Sequence, residues 1–220
     1  MKTVITFKNS FKNTKGFTLV EIAIVLVIIG IILGAAMKGK DLIYGARYKK
    51  FINAGGHAWT STAFNYMDRM GHFPGDTDDA AAGGKPNGII ADGASEDVLA
   101  DITAAKFVET PANPLILGSF TFYFFMGNDG ATPAKNLLLV CMDSACATKF
   151  DAESLKFIQA FDTSIDGTAD GTKGLVRCLN TAPTSEDFTK YIAVSGAATV
   201  SAACTAATTF AMAYYFDRGP

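Results

Sequence analysis

One long apolar run constrains this chain more than any other feature. Residues 17–37 are 21 residues long and contain a single charged side chain, Glu21. As an α-helix they would extend about 31 Å, which matches the roughly 30 Å hydrocarbon core of a bilayer. The run is too long to be the apolar region of an ordinary secretory signal. We therefore predict a membrane-spanning helix that contains one carboxylate.

Charge is unevenly distributed along the rest of the chain. Residues 1–16 contain four lysines and no acid, and residues 38–50 contain five basic side chains against Asp41 alone. Since both flanks of the apolar run are basic, charge leaves the membrane orientation open. Residues 55–220 contain ten Lys or Arg and nineteen Asp or Glu, which gives this part of the chain a net charge of −9. We expect no general nucleic-acid binding from so acidic a body, because it repels phosphate.

The residues around Glu21 form a specific pattern. The stretch from Lys15 to Glu21 reads KGFTLVE, and it follows a short basic leader and opens the apolar run. This pattern resembles the processing site of type IV pilins and of the pseudopilins of type II secretion, over about the first 40 residues. The resemblance implies that prepilin peptidase cuts between Gly16 and Phe17 on the cytoplasmic side, and that the new amine on Phe17 is methylated.

Physical chemistry explains the glycine and the glutamate. Gly16 has no Cβ, so an extended backbone can approach the peptidase closely. A charged side chain at the centre of a membrane helix costs about 2.5–3.5 kcal/mol, and less for Glu21, which lies one turn from the cleaved end. The resemblance implies that Glu21 meets the amine of Phe17 on a neighbouring subunit and sets the register of assembly. The alternative is a polar residue tolerated near the end of a signal anchor.

Two glycines inside the run form a GxxxG pair. Gly30 and Gly34 could allow close helix packing, although glycine is common in membrane helices in any case. The resemblance also implies that helicity is lost near Gly30 on assembly. Such melting would depend on the glycines alone, because the chain has no proline between Phe17 and Phe73.

The pattern beyond the run predicts an α+β fold. A long N-terminal α-helix, membrane-spanning in its first half, should continue to just before Pro74 and pack on an antiparallel β-sheet head, with Gly55-Gly56 marking a bend. The expected organisation is a removed leader (1–16), an apolar helix that spans the membrane and later forms the filament core (17–37), an amphipathic continuation (38–73) and a globular head (74–220). In the head we predict two helices, over 95–107, capped by Ser95, and over 151–161, capped by Asp151. We also predict an extended, irregular segment over 111–118 and strands over 120–126, 137–142, 175–179 and 210–216.

Four cysteines lie in the part that would be exported, which favours disulfides. Of the three connectivities that four cysteines allow, we prefer Cys141–Cys146 with Cys178–Cys204. The four residues between the first two cysteines are enough for a hairpin end. The second bond would anchor the C-terminal segment, much as a disulfide does in many pilins. The alternative of a thiolate metal site has little support, because no CxxC or companion histidine is present.

An aspartate-rich loop follows the predicted second head helix. Asp162, Asp166 and Asp170 recur every four residues, and oxygen-rich loops of this kind can hold calcium. The spacing does not fit an EF-hand, and although some pseudopilins bind calcium in a C-terminal loop, their pattern does not map cleanly here. The competing interpretation is that the Asp-Gly pairs only form turns. Calcium is the only cofactor that the sequence suggests.

Enzyme motifs are absent from the sequence. It has no GxSxG, P-loop or dinucleotide GxGxxG, and its only histidines are His57 and His72, for which we expect packing roles. We therefore expect no enzyme. The resemblance implies a structural subunit of a type IV pilus-like filament, held in the inner membrane with a periplasmic head before assembly and extracellular afterwards.

Its implied partners are copies of itself, prepilin peptidase, the pilus assembly machinery and the inner membrane. The alternatives are a minor pilin or pseudopilin that acts in priming, tip binding or secretion, and an uncut signal-anchored periplasmic protein. Among filament functions, adhesion, motility, DNA uptake, secretion and conduction stay open.

Overall fold

The computed structural model describes residues 16–76, 84–90, 96–106, 109–183, 192–193, 203–206 and 208–217. The chain divides into two compact units, and the boundary between Tyr44 and Gly45 falls inside the first helix. The described residues contain one helical stretch, Leu19–Met70, whose length and composition would allow it to cross a membrane. Within the described structure, none of the 18 consecutive and mostly apolar residues that give this stretch its membrane-spanning character is buried.

This helical stretch has three parts. Helix α1 covers Leu19–Lys50, a π-helical segment covers Phe51–His57, and helix α2 covers Ala58–Met70. Gly71 ends α2 in the left-handed conformation, with φ of 84°, and its N–H donates to the Met67 carbonyl at 2.8 Å. The helix thus ends before Pro74, as the sequence predicts.

The glycine pair does not interrupt the helical path. Gly55 and Gly56 lie in the π-helical segment, and the flanking residues Lys50 and Ala58 keep ordinary right-handed helical angles. In a π-helix, each backbone N–H donates to the carbonyl five residues earlier, one residue further back than in an α-helix. The predicted bend is therefore a change of helical hydrogen bonding without a break in the helix.

Two helices of the head begin later than the sequence predicts. Helix α3 covers Val98–Ala105, and its N-cap is Asp97, whose side chain accepts from the Ala100 N–H at 2.9 Å. The predicted cap, Ser95, lies outside the described residues, and the N-cap position is occupied by Asp97 instead. Asp97 is two residues closer to the helix and sits in the extended conformation that an N-cap requires.

Helix α4 covers Leu155–Asp166, so it starts four residues after the predicted position and continues past residue 161. Asp151 does not cap the helix itself. Its carboxylate accepts from the N–H groups of Glu153 and Ser154 in the turn that precedes the helix. The C-terminal end is set by Gly167, which takes φ of 79° and donates its N–H to the Thr163 carbonyl.

The strands of the described residues are Leu115–Leu117 (β1), Phe120–Asn128 (β2), Asn136–Cys141 (β3), Val176–Leu179 (β4), Ile192–Ala193 (β5) and Ala211–Tyr215 (β6). Five of them form an antiparallel sheet in the order β1-β2-β3-β6-β4, and the short β5 pairs with β2 in parallel. Leu139 of β3 lies between Phe125 of β2 and Ala213 of β6. Strand β1 falls inside the segment 111–118 that we expected to be extended and irregular, so its second half is extended as expected but forms a regular strand.

The core of the head is an aromatic layer between the helices and the sheet. The Phe51 ring lies 4.7 Å from the Phe122 ring and 5.7 Å from the Phe157 ring, measured between centroids. Trp59 stacks on Phe124, with the rings inclined by 17°. All five side chains are buried. This layer confirms the predicted α+β fold class, because a helix and a sheet each bury one apolar face by packing together.

The opposite face of the sheet is also buried. Phe125, Leu139, Ala213 and Tyr215 form a second apolar cluster on that face. Every residue of β3 is buried, which agrees with the unbroken apolar sequence of residues 137–141.

Candidate functional site

The first turn of α1 brings Glu21 back onto Thr18. The Glu21 carboxylate accepts from the Thr18 N–H at 2.7 Å and from the Thr18 hydroxyl at 2.8 Å. In return, the Glu21 N–H donates to the Thr18 hydroxyl at 3.3 Å. These reciprocal bonds form a capping box. The carboxylate is thereby held one residue from Phe17, the position at which the predicted cleavage would create an amine.

Thr18 is a residue whose role the sequence analysis missed. The sequence Thr-Leu-Val-Glu at residues 18–21 does predict this role, because Ser or Thr followed three residues later by Glu is typical of a helix N-terminus. The membrane assignment of this segment drew attention to Glu21 alone.

The surface of α1 is apolar and exposed. No residue of this helix is buried within the described structure, and Leu19, Ile31 and Met37 are each more than two thirds exposed. A Cβ added at Gly30 or Gly34 would meet no other atom within 4 Å. Both glycines are helical in this unassembled chain. A surface of this kind requires lipid or protein to cover it.

Basic side chains lie on the C-terminal part of α1, after the apolar run 17–37. Lys38, Lys40, Lys49 and Lys50 are exposed. The Lys40 ammonium lies 5.6 Å from the centre of the Tyr44 ring, one helical turn further on. The helix therefore changes from an apolar surface to a cationic one over about two turns.

Both disulfides of the preferred pairing are present. Cys141 bonds to Cys146 across the end of β3, and Cys178 of β4 bonds to Cys204. Gly171 is packed against the second bond, because an added Cβ would overlap the sulfur of Cys204. The second disulfide therefore ties the segment before β6 to strand β4 and to the aspartate loop.

The prediction that all three aspartates lie in a loop is wrong for two of them, because Asp162 and Asp166 lie in α4 and only Asp170 lies in the loop. All three accept hydrogen bonds from backbone N–H groups. Asp162 accepts from the Gly171 N–H at 3.0 Å. Asp166 accepts from the Leu175 and Val176 N–H groups at 3.0 and 2.8 Å. Asp170 accepts from the N–H groups of residues 172 and 173 at 2.8 and 3.0 Å. The carboxylates thus connect the end of α4, the loop and the start of β4.

Asp162 has an unusual environment. Its side chain is only 1% exposed, and its Oδ1 atom makes no hydrogen bond within the described structure. Burial raises the pKa of this carboxyl from an ordinary value of 3.8 to about 6. The Gly171 N–H lowers the pKa, while the negative charges of Asp166 and Asp170 raise it.

Among the described residues, no group of three or more His, Cys, Asp or Glu side chains is arranged to hold a metal ion. The structure thus does not gather Asp162, Asp166 and Asp170 into one set of ligands; each has its own backbone partners.

The two histidines make packing contacts. His57 lies with its ring 6.3 Å from that of Phe161. His72 lies 5.6 Å from the Tyr66 ring, and its Nδ1 is 2.9 Å from the Phe73 carbonyl oxygen.

Two buried side chains, Asn128 and Asn136, form a hydrogen-bonded clamp that holds the segment 84–90. Sequence reasoning did not identify this clamp. Asn136 accepts from the Ile90 N–H at 2.8 Å and donates to the Gly88 carbonyl at 2.7 Å and to the Asp217 carboxylate at 2.8 Å. Asn128, which lies opposite Asn136 in the sheet, donates to the Ile90 carbonyl at 2.8 Å. The head loop and the C-terminal segment are therefore fastened at one place.

Comparison with known proteins identifies the N-terminal region. A family model described as the prokaryotic N-terminal methylation motif matches residues 11–37. This is the signature of the type IV pilins and pseudopilins. The methylation motif covers Gly16, Phe17 and Glu21, together with most of the exposed apolar surface of α1. No curated protein and no solved structure matches the chain.

The motif and the fold agree with each other. The motif indicates a pilin or pseudopilin, and proteins of this kind are structural subunits. It also implies a substrate of prepilin peptidase that is anchored in a membrane before assembly.

Proposed function

We propose that this chain is a structural subunit of an extracellular type IV pilus-like filament, assembled from copies of itself through α1. The observation that carries the proposal is the exposed apolar surface of that helix, which begins at the methylation motif. A helix that is apolar on all sides is suited first to a bilayer and then to the core of a helix bundle. The inner membrane covers this surface before assembly, and neighbouring copies of α1 cover it afterwards.

In this proposal, processing creates the assembly end. Prepilin peptidase cuts between Gly16 and Phe17, and the amine of Phe17 is methylated. Glu21 then pairs with the Phe17 amine of a neighbouring subunit. The capping box supports this step, because it already directs the Glu21 carboxylate toward the N-terminal end of the helix.

A minor pilin or a type II secretion pseudopilin is the second candidate, with a role in priming, tip binding or secretion. Its support comes from the sequence alone, in which Asp162, Asp166 and Asp170 recur every four residues and could offer carboxylates to calcium. In the structure each of these carboxylates accepts from its own backbone N–H groups. Calorimetric titration of the EDTA-treated protein tests this point. Saturable calcium binding that is lost in Asp170→Asn supports the second candidate, and no binding removes its chief support.

The first test is intact mass and N-terminal sequencing of protein from sheared extracellular fibres. We expect a chain that starts at methylated Phe17 and forms most of the fibre. A processed chain present only in traces or only in membranes would favour the minor pilin or pseudopilin. A start at Met1 would overturn the whole proposal, because the uncut chain would be a signal-anchored protein.

Two variants with matched controls separate processing from assembly. Gly16→Val should block cleavage, because the added side chain obstructs the approach of the peptidase, whereas Gly39→Val should be cut normally. Glu21→Gln should be cut but fail to enter fibres, because it loses its charge at constant size. Asp41→Asn, which removes a carboxylate outside the apolar run, should assemble. Fibres formed by Glu21→Gln at the normal yield would exclude the charge pair.

A further inference from the structure

The sequence contains one Asn-Gly pair, Asn87-Gly88, and it lies in the segment that the clamp holds. In an Asn-Gly pair the glycine nitrogen is able to attack the carbonyl carbon of the asparagine side chain, because glycine has no Cβ to hinder the approach. Asn87 is exposed and Gly88 is partly exposed, so water reaches the pair. By sequence and exposure alone, Asn87 is therefore a site of spontaneous deamidation.

The chemistry of this reaction requires only water. The Gly88 nitrogen forms a bond to Cγ of Asn87, the bond between Cγ and Nδ2 breaks, and ammonia leaves with the proton of the Gly88 N–H. The product is a cyclic imide. Water then opens the ring at one of its two carbonyl carbons, which leaves either aspartate or isoaspartate at residue 87.

The structure holds the attacking nitrogen in place. The Gly88 N–H donates to Oδ2 of Asp76 at 2.9 Å, and the Asn87 N–H donates to Oδ1 of the same carboxylate at 2.9 Å. Asp76 is fully buried, and hydrogen bonds to a charged group are roughly twice as strong as neutral ones. Removal of the Gly88 proton beside this carboxylate would place two negative charges side by side, which is unfavourable. The nitrogen must therefore leave Asp76 before it can react.

Two further hydrogen bonds act on the pair. The Asn136 side chain donates to the Gly88 carbonyl at 2.7 Å, which fixes the Gly88 backbone at its φ of 88°. The Ile89 N–H donates to Oδ1 of Asn87 at 2.7 Å. This second bond polarises the carbonyl group that is attacked, so it does not protect the pair. The protection comes from the contacts of Gly88 with Asp76 and Asn136.

We propose that Asn87-Gly88 is a self-modification site, which Asp76 and the clamp keep closed in the folded head. It reacts only when the segment 84–90 separates from the sheet. Either product adds a negative charge at residue 87, whose own N–H binds Asp76, and isoaspartate also lengthens the backbone. Like charges at this distance repel each other, so the modified segment should bind the head less well. The modification is therefore one-way, and it leaves an opened segment open.

Peptide mapping by mass spectrometry tests the proposal, with full-length protein in detergent micelles at neutral pH and the same protein unfolded in denaturant. We expect Asn87 to convert at least about tenfold more slowly in the folded parent, because only its open fraction reacts. Asn136→Ala should raise the folded rate at least about tenfold by releasing the segment. Asp76→Asn should also raise it, since an amide has one acceptor oxygen for two N–H groups.

Asp143→Asn is the matched control. It removes a carboxylate that accepts three backbone N–H groups in another loop, so the rate at Asn87 should stay at the parent value. Hydrogen exchange in α4 shows whether each variant keeps the rest of its head folded. Exchange at the Gly88 and Ile90 amides should be faster in Asn87→Asp, which carries the product charge, than in the parent.

The comparison of the folded and unfolded parent decides the matter even where a variant does not fold. Equal rates in the two states would show that the hydrogen bonds give no protection. A faster rate in the folded parent would mean that Asp76 removes the proton as a base. Both results overturn the proposal, and so do folded Asn136→Ala and Asp76→Asn variants that convert Asn87 at the parent rate.

Discussion

Gly56 lies directly against the ring of Phe161: a Cβ placed on residue 56 would overlap two atoms of that ring. Gly55 is in a similar position, since its Cβ would lie 2.6 Å from an atom of the Phe124 ring. The π-helical segment therefore presents bare backbone to α4 and to the sheet. This close approach is the physical reason for two consecutive glycines in a helix, where glycine is otherwise unfavourable.

We expect Gly56→Ala to lower the free energy of unfolding by roughly 1–3 kcal/mol, because the methyl group forces Phe161 or the helix to move. Gly45→Ala is the matched control, since a Cβ there meets nothing within 4 Å. It should raise stability by about 0.5–1 kcal/mol through helix propensity. Denaturant unfolding followed by Trp59 fluorescence measures both changes. Equal effects of the two variants would contradict the packing argument.

The clamp at Asn136 predicts a second stability effect. Asn136→Ala removes three hydrogen bonds and leaves the buried Ile90 N–H without a partner, so we expect a loss of about 3 kcal/mol. Hydrogen exchange at the Ile90 amide should accelerate far more than exchange in α4. Asn65→Ala, on the exposed face of α2, should change stability by less than about 0.5 kcal/mol. Unchanged exchange at Ile90 would show that other contacts hold the loop.

The two disulfides should differ in their contribution to stability. Their cysteines are 26 residues apart in Cys178–Cys204 and 5 apart in Cys141–Cys146. Chain entropy predicts losses of about 3.5 and about 2 kcal/mol when each bond is replaced by a pair of serines. Denaturant midpoints of the two double variants compare these values. A larger loss from the shorter loop would mean that native packing outweighs chain entropy.

Electrostatic attraction between subunits should stabilise the fibre. The exposed lysines at 38, 40, 49 and 50 and the acidic head are complementary in sign, so we expect adjacent subunits to attract each other. Raising the salt concentration from about 0.1 M to about 1 M shortens the Debye length from about 10 to about 3 Å and should loosen sheared fibres. Sedimentation measures the released subunits, with sucrose at matched osmolarity as the control. Equal release in both solutions would remove electrostatics from the assembly.

Local signals in the sequence predicted much of this protein. The spacing from Gly16 to Glu21 indicated the methylation motif, and the length of the apolar run indicated the long helix. Alternation of side chains predicted β2, and the positions of the cysteines favoured the pairing that the structure contains. These features depend on residues close together in the chain, so elementary rules of helix, strand and membrane physics apply to them directly.

What the sequence left open depends on contacts between distant residues. The Asn136 clamp joins residues 46 apart, and the Gly56–Phe161 contact joins residues more than a hundred apart. Asp162 was visible as one of three evenly spaced aspartates. Its burial and its missing hydrogen bond follow only from the packing of α4 against the loop and the sheet. By itself, the sequence determined the membrane helix, its processing signature and the α+β class. The tertiary structure alone decided which polar groups are buried and which partners they have, because burial arises from the whole fold.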